Sequence, residues 1–209
     1  MADSQTQLTS PSCSHDWAAR YARHSTPWDL GEPHPELIAR LKLDPTLNTG
    51  QLGRVLVPGC GFGWDAIALA NAGWDVVGLD LVAELEDAIG AQLLGVGAQL
   101  LIGDFFNHQP AERYDLIFDH TFFCALPLNQ RKAWGSKIAA LCTPTAQVVS
   151  LVFPENRPLD EGGPPFGMCT LDVESALGDH FELLQDQDAA PSQGRWWPEK
   201  WAQLRHIGV

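Results

Sequence analysis

The stretch "RVLVPGCGFGWDAIALANAGWDVVGLDL", Arg54 to Leu81, constrains the fold of this chain more than any other. It reads as strand, glycine-rich turn, helix, strand and acid. The short apolar strand "RVLVP" enters a turn made of Gly59, Cys60, Gly61, Phe62 and Gly63. "GWDAIALANAG" then has helical spacing at Ile67, Leu69 and Ala70 and stops on Gly73. "WDVVGLD" is a second strand, closing on Asp80 with Leu81 after it. The turn of such a unit binds an anion, a nucleotide or a nucleoside.

The same alternation continues along the chain. "HPELIARLKL" is a short helix ahead of the first strand, and "AELEDAIGAQLL" is a helix after the second. "AQLLIGD" is a third strand ending on Asp104, "YDLIFDH" a fourth and "AQVVSLVF" a fifth, with a helix over Pro127 to Leu141 between the last two. "TLDVESALG" is helix and "HFELLQDQ" a sixth strand, while "RWWPEKWAQLRHIGV" suits a helix or an edge strand equally. Alternating elements predict a doubly wound α/β sheet with its crevice at the carboxyl ends of the strands. No repeat or linker divides residues 15–209, which are expected to form one domain. Residues 15–45 supply a lid and helix, and the polar residues 1–14 have almost nothing to bury, which predicts a disordered tail.

Charge narrows the partners. A formal net charge of −13 repels phosphate backbones over most of the surface, which argues against nucleic acid. No apolar run reaches membrane-spanning length, and the start "MADSQTQLTSPS" has neither the basic residues nor the apolar stretch of a secretory signal. A cytoplasmic monomer is the expectation. The five cysteines are odd in number and include no Cys-x-x-Cys, so reduced thiols are expected rather than a disulfide framework or a metal site. Cys142 and Cys169 are read as small core residues.

The turn departs from the dinucleotide fingerprint in one respect. The position of its third glycine is Trp64, and Asp65 follows. An acid at a helix start is poor company for a pyrophosphate and suits a cationic or zwitterionic ligand, although it also caps a helix. Asp80, 21 positions after Gly59, is spaced to accept both hydroxyls of a ribose. Asp104 could accept from an adenine amine, and Phe105 could stack on that ring or simply pack. Ribose and adenine without a pyrophosphate site point to S-adenosylmethionine.

At this point the sequence resembles the thiopurine-type S-methyltransferases, most closely their halide, thiocyanate and thiol methyltransferase branch. "TPWDLGEPHPEL", "VLVPGCGFGWD", "YDLIFDHTFFCALPLNQRKAW" and "EGGPPF" carry the resemblance, which reaches from about Trp17 to Trp201. It implies a single Rossmann-like methyltransferase domain, with a mostly parallel seven-stranded sheet and helices on both faces. It implies that Trp17, Tyr21 and Trp28 fold over the cofactor, Tyr21 standing where the usual residue is Trp. It assigns Gly59, Cys60, Gly61, Asp80, Leu81, Asp104, Phe105 and His120 to cofactor contacts. His120 and Phe153 stand where the plant enzymes carry tyrosines, and Arg195 aligns with a basic residue near the substrate anion. The implied acceptor pocket comprises Trp28, Phe123, Phe153 and Arg195, with His120 and Arg195 as the catalytic candidates.

The implied reaction is an in-line methyl transfer from S-adenosylmethionine to a small soft nucleophile, leaving S-adenosylhomocysteine. No metal is needed because the methyl is already activated. A thiol acceptor must lose a proton, which Arg195 could favour and His120 could relay, whereas thiocyanate and halides need no base. Nitrogen or oxygen methylation of a small metabolite, and cofactor binding without catalysis, are the alternatives.

Overall fold

The computed structural model describes residues 16–44, 47 and 53–208. The expected tail, residues 1–14, lies outside them. Seven strands form one sheet: β1 (Arg54–Pro58), β2 (Asp75–Asp80), β3 (Gln99–Ile102), β4 (Tyr114–His120), β5 (Cys142–Val152), β6 (Phe181–Asp188) and β7 (Lys200–His206). Their order is β3-β2-β1-β4-β5-β7-β6. All neighbouring pairs from β3 to β5 are parallel, and β7 runs antiparallel to both β5 and β6. The sheet is therefore mostly parallel and Rossmann-like. The final segment is a strand but not an edge strand: β7 inserts between β5 and β6, and β6 takes the edge.

Side chains alternate across the sheet, as period-two geometry requires. In β1, Leu56 joins one core cluster while Val55 and Val57 join the other. In β4, Ile117 faces the first cluster and Leu116 and Phe118 the second. The first cluster is covered by α5 (Arg131–Leu141) and α6 (Thr170–Leu177), centred on the fully buried Trp134. The second is covered by α2 (Pro35–Leu43), which follows the short α1 (Trp17–Ala22), and by α3 (Trp64–Asn71) and α4 (Glu84–Gly95). Each fully buried large apolar side chain contributes about 1.5–3 kcal/mol.

Local sequence fixes the helix ends that matter to the site. Pro35 occupies the first turn of α2, and the His34 side chain caps it by accepting from the Glu36 N–H at 3.1 Å. Gly63, left-handed at φ +74°, lets the glycine turn enter α3. Sheet order reverses between β1 and β4, where a doubly wound fold opens its crevice. Cys142 is buried as expected; Cys169 is only half-buried and stands at the start of α6, where its N–H donates to Asp172 at 2.7 Å. No helix among the described residues is long and apolar enough to cross a membrane.

Candidate active site

A cleft opens where β1 and β4 diverge. Gly59, Cys60 and Gly61 form its floor, and Trp28, Asp65 and His120 its walls. Two of the floor's three positions require glycine. Gly59 and Gly61 have φ of +60° and +52°. A Cβ on Gly59 would stand 2.7 Å from the Phe122 ring, and one on Gly61 would stand 3.0 Å from the Tyr21 hydroxyl. Cys60 is half-buried, and burial and Asp80 push its thiol pKa up, which disfavours the thiolate.

Asp80, 8 % exposed at the end of β2, holds the turn. Its Oδ2 accepts from the Gly61 N–H at 2.9 Å and its Oδ1 from the Val82 N–H at 3.1 Å. A carboxylate has about four acceptor sites, so Asp80 keeps acceptor capacity for a ligand hydroxyl. Asp104 is exposed and caps a short 3-10 turn, accepting from the Phe106 N–H at 2.9 Å. Phe105 is buried between Phe106 and Phe122, with ring centroids 5.3 and 5.1 Å away. Leu81 is 56 % exposed.

The N-terminal segment covers the turn. Trp28 meets Trp17 and Tyr21 edge-on at 5.2 and 5.8 Å, and Tyr21 meets Phe62 of the turn at 5.4 Å. Arg20 lies 5.5 Å from the rings of both Trp17 and Trp28. Asp29 accepts from the Trp64 indole N–H at 3.0 Å, tying the segment to α3.

His120 ends β4 at the cleft edge. Its Nδ1 lies 2.6 Å from Asp65 Oδ2, and its Nε2 lies 2.9 Å from Arg195 Nη2. A guanidinium can only donate. Nε2 therefore accepts, and the ring proton sits on Nδ1, donating to Asp65. Burial would raise the pKa of Asp65, but the His120 ring and the His34 N–H, at 2.8 Å, hold it below the usual carboxylate value. Thr121 follows with φ +65°, an uncommon conformation for a β-branched residue, and donates its hydroxyl to the His120 carbonyl at 2.6 Å. Asp119 secures that turn by accepting from the Phe122 and Phe123 N–H groups, both at 3.1 Å.

Arg195 reaches the site from the loop between β6 and β7. It donates to the Trp28 carbonyl at 3.1 Å and lies 4.3 Å from the centroid of Phe153. Phe123 departs from the expected acceptor pocket: it is 1 % exposed and packs at 4.6 Å against Trp134 in the first core cluster. Its N–H is spent on Asp119, which turns the ring toward α5 and away from the cleft. Sequence reasoning missed His34 and Glu199, which meet at 2.5 Å beneath Arg195. A histidine in "GEPHPEL" and an acid in "WPEKW" carry no local signal of that meeting.

The thiopurine S-methyltransferase family (TPMT) matches residues 13–204. The chain belongs to this family. It is 37 % identical over 179 residues to "Probable thiol methyltransferase 2" of Arabidopsis thaliana, covering 82 % of this chain and 75 % of that protein. It is 34 % identical over 165 residues to "Thiocyanate methyltransferase 1" of the same plant, covering 77 % and 70 %. The fold also matches a 1,6-didemethyltoxoflavin N1-methyltransferase from Burkholderia thailandensis with S-adenosylhomocysteine bound. That match has a TM-score of 0.68 at 20 % identity, over 98 % and 94 % of the two chains. This TPMT-family protein is an S-adenosylmethionine-dependent methyltransferase. Its residues fit that cofactor: glycines at two positions of the floor, spare acceptor capacity on Asp80, and an ionised Asp65 facing a cleft that would hold a cation.

Proposed function

We propose that this enzyme methylates the sulfur of a small thiol. The observation that carries the reading is the Arg195 guanidinium, fixed 4.3 Å from the Phe153 ring and 2.9 Å from His120 Nε2. A fixed cation on an apolar face favours a soft sulfur anion over a hydrated oxygen anion, whose desolvation costs more. A neighbouring cation also lowers a thiol pKa from its ordinary value of about 8.5.

When bound, S-adenosylmethionine supplies a methyl group already activated as a sulfonium. Asp80 and Leu81 would hold its ribose end, Asp104 the adenine edge, and Gly59 and Gly61 the chain between. Trp17, Tyr21 and Trp28 would cover it and exclude water. His120 Nε2, oriented by Asp65, is the lone pair placed to receive the acceptor proton. Trp28 and Phe153 would line the acceptor side.

Turnover of wild type on hydrogen sulfide, an aromatic thiol, thiocyanate, iodide and an amine tests this reading. Thiols should give the highest kcat/KM. Arg195→Ala should lower thiol kcat/KM by about 10–100-fold while S-adenosylhomocysteine affinity holds. An amine or hydroxyl acceptor that outpaces every thiol overturns it.

A further inference from the structure

Five residues from four parts of the chain close a ring at the cleft edge. Asp65 holds His120, and His120 accepts from Arg195. Arg195 Nη1 donates to Glu199 Oε1 at 3.2 Å, and Glu199 Oε2 accepts from His34 Nε2 at 2.5 Å. The His34 backbone N–H then returns to Asp65 Oδ1 at 2.8 Å. The Arg195 and Glu199 side chains are 5 % and 1 % exposed. Ser192 completes the acid's surroundings, its hydroxyl 2.6 and 2.7 Å from the two Glu199 oxygens.

We propose that Glu199 is the positioning residue of the thiol reaction: it anchors Arg195 so that the guanidinium caps His120 at rest and releases it to an acceptor. The proposal rests on the thiol reading above. Among the described residues the Arg195 guanidinium donates to one carboxylate, Glu199, and otherwise to the Trp28 carbonyl and His120. A buried guanidinium needs such a counter-charge. Glu199 in turn is held by His34, whose Nδ1 accepts from the Glu36 N–H and whose proton is therefore on Nε2. Nη1 is bonded to the anchor and Nη2 to the base. Nη2 can leave His120 while Nη1 stays on Glu199.

The capped state keeps His120 in the Nδ1–H tautomer with its lone pair on Nε2. An acceptor that draws Nη2 to its own sulfur uncovers that lone pair. The S–H bond breaks, and its proton forms an N–H at Nε2, giving an imidazolium beside Asp65. The sulfur electron pair then forms the new bond to the methyl carbon as the carbon–sulfonium bond breaks, leaving S-adenosylhomocysteine. The imidazolium proton passes to solvent, and Nη2 returns to His120. Acceptors without a proton to lose gain nothing from the uncovering.

Two readouts test this on the full chain. The first is the ¹⁵N spectrum of labelled histidine without cofactor or acceptor, assigned with His120→Gln. Wild type should show His120 as a single Nδ1–H tautomer, and Glu199→Gln should show a mixture. The second is the ratio of thiol to iodide turnover, which should fall about tenfold or more in Glu199→Gln. A wild-type His120 in the Nε2–H form, or a ratio unchanged in Glu199→Gln, overturns the proposal. Should Glu199→Gln not fold, Ser192→Ala, which leaves the carboxylate charge in place, should shift both readouts the same way by less; no shift overturns it. If wild type methylates no thiol, the thiol reading fails, and the tautomer spectrum still decides the positioning.

Discussion

Gly61 donates its backbone N–H to Asp80 at 2.9 Å, so the acid spaced for a ribose is also the acid that shapes the turn beneath it. In the proposed reading, binding and local folding share one carboxylate. Asp80→Asn keeps an acceptor for one of the two backbone N–H groups and loses the charge. It should weaken S-adenosylhomocysteine binding by about 1.5–3 kcal/mol, the range for hydrogen bonds to a charged group. Titration calorimetry on wild type and variant checks this, and equal affinities would remove Asp80 from the cofactor site.

Gly61→Ala places a methyl group 3.0 Å from the Tyr21 hydroxyl on a residue at φ +52°. The left-handed backbone alone should cost about 1–3 kcal/mol in urea unfolding. Tyr21→Phe in the same background removes the clash and should recover only a minor part of that loss.

Burial pushes the Asp119 pKa up to about 6, against its hydrogen bonds from Phe122, Phe123 and Ser150. A folded-state pKa above the unfolded value means stability that is fully present below about pH 3.8 and lost as pH rises through about 6. Asp119→Asn has no proton to lose and can still accept from both amides. Its stability relative to wild type should therefore rise between pH 4 and 7, by up to about 3 kcal/mol. Chemical denaturation across that range checks the sign, and a difference that shrinks with pH would contradict it.

Glu199 acts in the opposite sense. Burial favours its neutral form, yet His34, Ser192 and Arg195 hold its pKa down to about 2. Stability from this depressed pKa is present above the unfolded value near 4.5 and is lost as pH falls toward 2. Burial also lowers the pKa of His34, so acid works against both partners at once. Wild type should lose stability steeply below pH 4.5, and Glu199→Gln, less stable at pH 7, should show a shallower acid limb.

The N-terminal cover predicts a ligand effect. Trp28 is packed on Trp17 and Tyr21, Tyr21 packs on Phe62 of the glycine turn, and the Trp28 carbonyl accepts from Arg195. Proteolysis within residues 17–28 should slow several-fold at saturating S-adenosylhomocysteine, followed by mass spectrometry. Unchanged cleavage would mean that the segment does not close over the cofactor.

The parts of this fold that were legible in sequence are those encoded within one short stretch. Gly59, Asp65 and Asp80 lie on a single βαβ unit, so spacing alone brings them together. The place of β7 was not legible, because an apolar run does not state which strands it pairs with. Phe123 was misplaced for a related reason: an aromatic after a strand suits a pocket or a core, and here Asp119 and Trp134 decide. His34 and Glu199 are 165 positions apart and meet only because the β6–β7 loop folds back over α2. Buried polar partners of that kind leave no periodic trace.

The reversed β7 has a practical consequence. Because Lys200 pairs with Val152, the loop at 189–199 hangs from the same rim as the end of β5, with both of its feet clamped in the sheet. In the proposed reading Arg195 comes to the acceptor side from this loop, whereas Gly59, Gly61 and Asp80 meet the methyl donor from residues 54–81. The loop is a natural cassette. Grafting it between relatives, with the residue at position 120 exchanged alongside, offers a route to new acceptor preference without rebuilding the donor half.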